Sequence, residues 1–265
     1  MKVNSMTLIW AICLLPLNSF NSYGSSQINE NSQYNIIESD EVKFPSLNEG
    51  NQSEQNNTVC LEELLEFCQE ISPEALKMSL NAYQYLLENN KLKNKEILTV
   101  VDFSKPSTEE RIFVVNLKSK KIISKSLCAH GQNSGDNFAT SFSNTPNSLQ
   151  SSLGAFIANE TYIGANGLSL KLDGMENGIN SNARMRSVVI HPAKYVSYDF
   201  IKENGRLGRS QGCPALPENK SKEIISLIKG GSCFFIYHPS NKYKETSAIF
   251  KSYNEQEIEQ LVAQL

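Results

Sequence analysis

The sequence contains little excess charge and few histidines, and both shortages argue against particular classes of function. Its 265 residues carry 25 Lys and Arg against 28 Asp and Glu, for a formal net charge of −3. A surface that binds nucleic acid is normally clearly basic, so we expect no nucleic-acid partner. The three histidines do not form the His-Glu-x-x-His spacing of a zinc peptidase. We therefore predict that the protein uses neither a metal ion nor a cofactor.

Long hydrophobic runs are also scarce. The longest, residues 6–17, follows Lys2 and is shorter than the roughly 20 apolar residues that span a bilayer. Residues 22–24, Ser-Tyr-Gly, supply small residues suited to a cleavage point. Residues 1–24 therefore match a secretory signal peptide, with an uncleaved anchor as the alternative. We expect an exported chain, periplasmic or cell-wall associated, without further membrane contact.

The rest of the chain divides by composition and periodicity. Residues 25–58 are rich in Asn, Ser, Gln and Glu without a clear period, which predicts a disordered polar linker. Residues 59–90 form a helical segment, in which Ser72-Pro73 starts a second helix over residues 75–87. The main folded domain is predicted over residues 91–243. A tail follows over residues 244–265, with a short helix at 255–265.

Between residues 97 and 237 the apolar pattern changes to the short runs that are typical of strands. The sequence predicts strands at 97–103, 111–117, 121–129, 155–158, 168–172, 188–191 and 233–237. Two helices are inserted, at 197–204 before Gly205 and at 217–229 before Gly230-Gly231. Many short strands with few helices indicate a mainly β fold, a mixed-topology sandwich or barrel.

The cysteine count points to one unusual thiol. Loss of Cys13 with the signal peptide leaves five cysteines, an odd number for an exported protein. Cys213 lies between Gly212 and Pro214, just before a predicted helix. A thiol near a helix N-terminus or beside a histidine is more easily deprotonated to the nucleophilic thiolate. Cys213 is therefore the candidate nucleophile, whereas Cys128 and Cys233 fall in strand patterns and are predicted to be buried.

A histidine lies upstream of this thiol at the end of a predicted strand. His191 ends the apolar run SVVIH, and a neutral imidazole can accept a thiol proton and return it to a leaving amine. His130 also follows a strand, before a glycine turn, and is the competing base. Backbone N–H groups of residues 211–213 are candidates for stabilising an oxyanion.

Arginine is rare but concentrated around these two residues. The chain has five arginines, of which Arg184, Arg186, Arg206 and Arg209 flank His191 and Cys213. The guanidinium fork binds carboxylates bidentately, which lysine does not match. The cluster predicts a substrate with free carboxylates, and surface ion pairing is the alternative.

Other classes of cysteine and serine enzyme fit this arrangement less well. Papain-like enzymes place cysteine before histidine in the chain, the reverse of the order here. Sortases need an arginine after their cysteine, and none follows Arg209. The single Ser-x-x-Lys, residues 226–229, lies in a predicted helix without the companion motifs of serine penicillin-binding enzymes.

Six blocks occur in order between residues 75 and 243: FSKPSTEERIFVVNL, AHGQNSG, SSLGAF, TYIGANGLSLKLDGMENGIN, VVIHPAKYVS and GRSQGCPAL. Together they resemble the YkuD-like L,D-transpeptidase catalytic domain, in its murein L,D-transpeptidase branch. The resemblance implies a cysteine enzyme that attacks the L-Dap–D-Ala bond of a peptidoglycan stem peptide. The resulting acyl-enzyme would then be transferred to an amine.

The resemblance also implies roles for individual residues. Cys213 would be the nucleophile and His191 the base, with Ser210 and Gly212 shaping the loop. The candidate contacts to substrate are Arg209, Arg186, His130 and Tyr162. The family usually has a histidine where this chain has Gln211 and a polar residue soon after the cysteine, where this chain has Ala215-Leu216.

These departures leave three functions open. They are a transpeptidase that cross-links peptidoglycan or attaches proteins to it, an L,D-carboxypeptidase or cross-link hydrolase, and a non-catalytic wall-binding module. The sequence also leads us to expect that Cys60, Cys68, Cys128 and Cys233 stay reduced or pair only weakly. Cys60 and Cys68 would lie about 12 Å apart on one helix, too far for a disulfide.

Overall fold

A computed structural model describes residues 61–265, except for the side chain of Glu63. The predicted signal peptide, the linker and Cys60 lie outside the described residues. Within the described range, no helix combines the length and the apolar character needed to cross a membrane. The proposed domain boundaries stay predictions.

Two helices precede the first strand, as the periodicity predicts. α1 covers Leu61–Phe67 and α2 covers Pro73–Glu88, with proline at the first helical positions. Ser72 does not cap α2 through its side chain. Its backbone N–H instead donates to the buried Asp102 carboxylate at 3.3 Å. α2 packs against the strands that come first and last in chain order, Ile97–Asp102 and Ser232–Tyr237, which are neighbours in the middle of the sheet. These contacts fix the helical segment to the strand-rich part of the chain.

Eight strands form one mixed sheet, whose order is β3-β2-β1-β8-β4-β5-β6-β7. Its strands are β1 Ile97–Asp102, β2 Ile112–Asn116, β3 Lys121–Ser126, β4 Gly154–Gly164, β5 Gly167–Gly174, β6 Val189–Pro192, β7 Ala215–Leu216 and β8 Ser232–Tyr237. β1 runs parallel to β8 and β6 runs parallel to β7, while the other neighbours are antiparallel. β1 and β8 are buried along their whole length, as expected for central strands.

The two edge strands of this sheet meet. Ala129, just beyond β3, donates to the Ala215 carbonyl at 2.9 Å and accepts from the Ala215 N–H at 3.3 Å. The sheet is therefore nearly closed into a barrel. The predicted fold class, mainly β with inserted helices and a sandwich or barrel topology, is confirmed.

The remaining helices are α3 Tyr198–Asn204, α4 Glu218–Ile228, α5 Asn241–Thr246, α6 Ala248–Lys251 and α7 Glu255–Gln264. The Ser197 hydroxyl caps α3, and Gly205 ends it in the left-handed region at φ 72°. α5 and α6 were not predicted, because each is too short to show a helical period. The two-residue β7 was missed for the same reason.

The β4–β5 hairpin is longer than its apolar pattern predicts. The sequence indicated strands at 155–158 and 168–172, whereas pairing continues to Gly164 and Gly167. The outer half of β4 is largely exposed, so it lacks the buried residues on which the prediction depended. This extension brings the tip of the hairpin to His191.

Candidate active site

The loop that carries Cys213 is held by its own serine. The Ser210 hydroxyl donates to the Cys213 carbonyl at 2.6 Å and accepts from the Gly212 N–H at 3.0 Å. The Ser210 backbone donates to the His130 carbonyl at 2.9 Å. The backbone before the thiol is therefore fixed on both sides.

Gly212 occupies a position that only glycine can fill. Its φ is +125°, where side chains are rarely tolerated. A Cβ there would also lie 2.8 Å from the Gln150 carbonyl oxygen. Glycine thus allows the loop after Gln150 to approach the nucleophile loop closely.

The Cys213 thiol is half-buried, two residues before β7. The Val189 N–H donates to Sγ at 3.5 Å, and Sγ donates to the Ser187 carbonyl at 3.6 Å. Burial raises the pKa of the Cys213 thiol, whereas the Val189 N–H and the charge of Arg186 act to lower it. Because burial dominates, the resting thiol keeps its proton and needs a base.

His191 lies on the strand next to the nucleophile. In the parallel β6–β7 pair His191 is opposite Ala215, which aligns Val189 with Cys213 two residues earlier. The Val189 N–H that contacts Sγ lies two residues before His191 on β6. The thiol therefore meets β6 two residues from the histidine.

One hydrogen bond sets the tautomer of His191. Its Nδ1 lies 2.9 Å from the carbonyl oxygen of Pro192. A carbonyl only accepts, so Nδ1 carries the proton and Nε2 is left with a lone pair. In this tautomer Nε2 carries the lone pair that a general base needs.

The tip of the β4–β5 hairpin lies beside this base. The Asn166 side-chain amide is 3.4 Å from His191 Nδ1. Since amide oxygen and nitrogen are assigned from such contacts, the protonated Nδ1 favours the Asn166 oxygen facing it. Tyr162, on the same hairpin, is 38% exposed with the Lys171 ammonium 5.6 Å from its ring centroid. Tyr162 is thus accessible from solvent.

His130 has a different environment. It is 1% exposed, its Nδ1 lies 2.8 Å from an Arg111 guanidinium nitrogen and its Nε2 lies 3.3 Å from the Gly135 carbonyl. Burial, followed by the charge of Arg111, lowers the pKa of His130 to about 4. With both nitrogens occupied, His130 is suited to supporting the Ser210 backbone rather than to transferring protons.

Arg111 is the residue that sequence reasoning missed. It is fully buried and donates to the carbonyls of Cys128 at 2.8 Å and Lys105 at 3.0 Å, as well as to His130. Burial lowers the pKa of its guanidinium to about 10. The one available signal was a lone arginine directly before the apolar run IFVVNL.

The four arginines near the site all have partners within the chain. Arg186 bonds the loop carbonyls of Ser143 and Gln150, each at 2.6 Å. Arg209 donates to Asp136 at 2.7 Å. Arg206 also lies near that carboxylate, and Arg184 pairs with Glu160 and Asp173. A role in binding substrate carboxylates would require these pairs to open, and it stays a prediction.

Two backbone N–H groups are available beside the thiol. Within residues 61–265, the N–H groups of Gln211 and Cys213 have no acceptor, whereas that of Gly212 is taken by Ser210. They are candidate donors to an oxyanion. The cysteines described, Cys68, Cys128, Cys213 and Cys233, are free thiols. In the same range no cluster of three His, Cys, Asp or Glu side chains could hold a metal ion.

Comparison with known proteins identifies the family. The L,D-transpeptidase catalytic domain family model matches residues 68–237, more than half of the chain. No curated protein matches the chain. Similar solved structures include an L,D-transpeptidase from Mycobacterium smegmatis, at 12% identity and a TM-score of 0.35, with 54% of this chain and 59% of that one covered.

A second L,D-transpeptidase, solved with imipenem, gives 12% identity and a TM-score of 0.34 over 54% of this chain and 59% of its own. An amidase/peptidase with a peptidoglycan-binding domain from Clostridium acetobutylicum gives 18% identity and a TM-score of 0.32, over 58% and 61%. The chain therefore spans about three-fifths of the length of each of these structures. On the match of the family model, the chain belongs to the L,D-transpeptidase catalytic domain family of the YkuD type.

Proposed function

We propose that the protein is a cysteine acyltransferase that acts on peptidoglycan stem peptides. The observation that carries the proposal is the contact between the Cys213 thiol and the Val189 N–H. Val189 lies two residues before His191, whose Nε2 is left unprotonated. Membership of the L,D-transpeptidase family supports the choice of stem peptides as substrate. Peptidoglycan lies outside the cytoplasm, so this function also favours export.

In the first half-reaction His191 Nε2 takes the proton of the Cys213 thiol. The sulfur attacks the carbonyl carbon between L-Dap and D-Ala, and the oxyanion forms near the N–H groups of Gln211 and Cys213. The tetrahedral species then collapses as its C–N bond breaks. His191 returns the proton to the departing D-Ala amine, which leaves a thioester on Cys213.

In the second half-reaction an amine, such as the side chain of a second Dap, attacks the thioester carbonyl. His191 accepts the proton that the amine loses, the C–S bond breaks, and the thiolate recovers that proton. The product is a new amide, a wall cross-link or a protein attachment. Water in place of the amine gives the alternative activity, an L,D-carboxypeptidase.

Purified protein incubated with tetrapeptide muropeptides tests the proposal by mass spectrometry. We expect loss of D-Ala, a thioester adduct on intact protein and amide-linked dimers. Tripeptides without dimers would assign the hydrolase instead. Absence of both adduct and products would leave a wall-binding module and overturn the proposal.

A further inference from the structure

A concave site lies behind the loop of residues 143–150, which approaches Gly212 closely. It is a cleft of about 460 Å³ between residues 142–145, the segment after β5 and helix α5. Its apolar side chains are Phe142, Leu153 and Ile179. Clefts of this size with an apolar floor are typical of small-ligand sites.

The polar groups of this cleft suit a ligand rich in hydroxyls and amides. Lys242 is the one charged side chain among the residues that line it. Within residues 61–265, the side chains of Thr145, Asn177 and Lys242 are exposed and have no hydrogen-bond or ion-pair partner. They offer a hydroxyl, an amide and an ammonium around an apolar floor. The hydroxyls and the acetamido group of an amino sugar can bond to these polar groups, while the C–H groups of its ring can lie on the floor.

The cleft and the nucleophile lie on two sides of one loop. Ser143, in the cleft wall, and Gln150 are joined by the Arg186 guanidinium, which bonds each carbonyl at 2.6 Å. The Gln150 oxygen in turn lies 2.8 Å from the position of a Cβ on Gly212. One guanidinium and one loop thus separate the cleft from the residue before Cys213.

Both walls of the cleft are rigid. Asn144 is fixed by Asn182, whose N–H donates to its side-chain oxygen at 2.9 Å and whose amide donates to its carbonyl at 3.0 Å. On the other side, the Tyr243 hydroxyl anchors α5 to the buried Glu176 carboxylate at 3.0 Å. A preformed cleft requires little ordering when a ligand binds.

We propose that this cleft binds an N-acetylated amino sugar of the glycan strand that carries the donor stem peptide. The sugar occupies the cleft while its peptide passes over the loop of residues 143–150 to reach Cys213. The inference rests on the proposed function, because only a wall substrate joins such a sugar to such a peptide. It predicts that the enzyme distinguishes a stem with its sugar from the same stem without it.

The ratio of kcat/KM for a disaccharide-tetrapeptide to kcat/KM for the free tetrapeptide tests the proposal. Two hydrogen bonds to the sugar predict a ratio of about ten in the wild type. The double variant Asn177→Ala/Lys242→Ala should bring the ratio close to one without changing turnover of the free tetrapeptide. Lys244→Ala is the matched control, because Lys244 lies on the same helix but pairs with Glu74 outside the cleft. A wild-type ratio near one, or one that the double variant leaves unchanged, overturns the proposal.

Binding is measured separately on the Cys213→Ala protein, by NMR titration with a β-1,4-linked tetramer of N-acetylglucosamine. We expect shifts at Thr145, Asn177 and Lys242 that the double variant abolishes. Shifts elsewhere only, or none, overturn the proposal. If the wild type turns over neither the disaccharide-tetrapeptide nor the free tetrapeptide, the proposed function fails while this titration still decides what the cleft binds.

Discussion

His191 lies in β6 and His130 follows β3, yet the surroundings of their rings differ in kind. His191 uses one nitrogen on the Pro192 carbonyl and keeps the other available. His130 receives a hydrogen bond from Arg111, gives one to Gly135 and is buried against the Phe103 ring. The difference teaches that the partners of the two ring nitrogens, and not the position of a histidine in the sequence, decide which nitrogen stays free to accept a proton.

His130 is nevertheless connected to the loop that carries Cys213. Its carbonyl accepts from the Ser210 N–H, and the Ser210 hydroxyl donates to the Cys213 carbonyl. The buried Arg111–His130 pair therefore supports this loop, while His191 lies on β6, whose Val189 N–H contacts the thiol. This division separates residues that we expect to affect chemistry from residues that we expect to affect stability.

The largest expected effect is at the nucleophile. Cys213→Ser should abolish turnover, because a serine hydroxyl is a far poorer nucleophile than a thiolate without a dedicated relay. Mass spectrometry of the protein after incubation with donor should show no acyl adduct, and circular dichroism should show an unchanged fold. Cys233→Ala, at a fully buried thiol in β8, is the control that should keep its activity. Near-wild-type turnover by Cys213→Ser would remove this residue from the mechanism.

Substituting each histidine separately by glutamine tests the comparison between them directly. His191→Gln removes the proton acceptor and should lower the acylation rate by about 10²- to 10⁴-fold. His130→Gln should cost less than tenfold, since it acts only through the Ser210 backbone. Rapid-quench measurement of acylation over a pH series separates the roles, because only loss of the base should change the shape of the pH profile. The reverse ranking would assign the base to His130.

The pH dependence of stability sharpens the contrast at His130. Its folded pKa of about 4 lies below the unfolded value of about 6.5, so the unfolded chain binds the extra proton between these values. The contribution of neutral His130 to the free energy of unfolding is complete above pH about 6.5. It falls by about 3 kcal/mol as the pH drops towards 4. Urea unfolding at several pH values should show this loss in the wild type. The difference should disappear in His130→Gln, and an equal slope in both proteins would contradict it.

The smallest effect is expected at Arg209. Arg209→Lys keeps the charge but loses the fork, so it should raise KM by about two- to fivefold and change kcat less. Arg206→Lys is the matched control, because Arg206 approaches the same Asp136 carboxylate only at 3.8 Å. Steady-state kinetics with a tetrapeptide donor provides the measurement. An unchanged KM would confine Arg209 to its surface pair with Asp136.

The strands that carry the site were predictable to within a few residues. The run SVVIH and the central strands are continuously apolar, because both faces of these strands are buried. Such a run can be recognised in the sequence without knowing which strands pair with it. β7 was not predictable, since two residues show no period and their pairing depends on Ala129 and His191 from elsewhere in the chain. The partners of the four arginines were unpredictable for the same reason.

By itself, the sequence determined a glycine-flanked cysteine after a strand-ending histidine, on a mainly β chain with inserted helices. These features are local, since they depend on backbone freedom at Gly212 and on runs of apolar residues. Only the tertiary structure decided which histidine keeps a free nitrogen and that Arg111 supports the loop from within. It also placed a cleft of about 460 Å³ behind residues 143–150. Hydrogen-bond partners and clefts arise where distant segments meet, and their chemistry depends on contacts that no single segment contains.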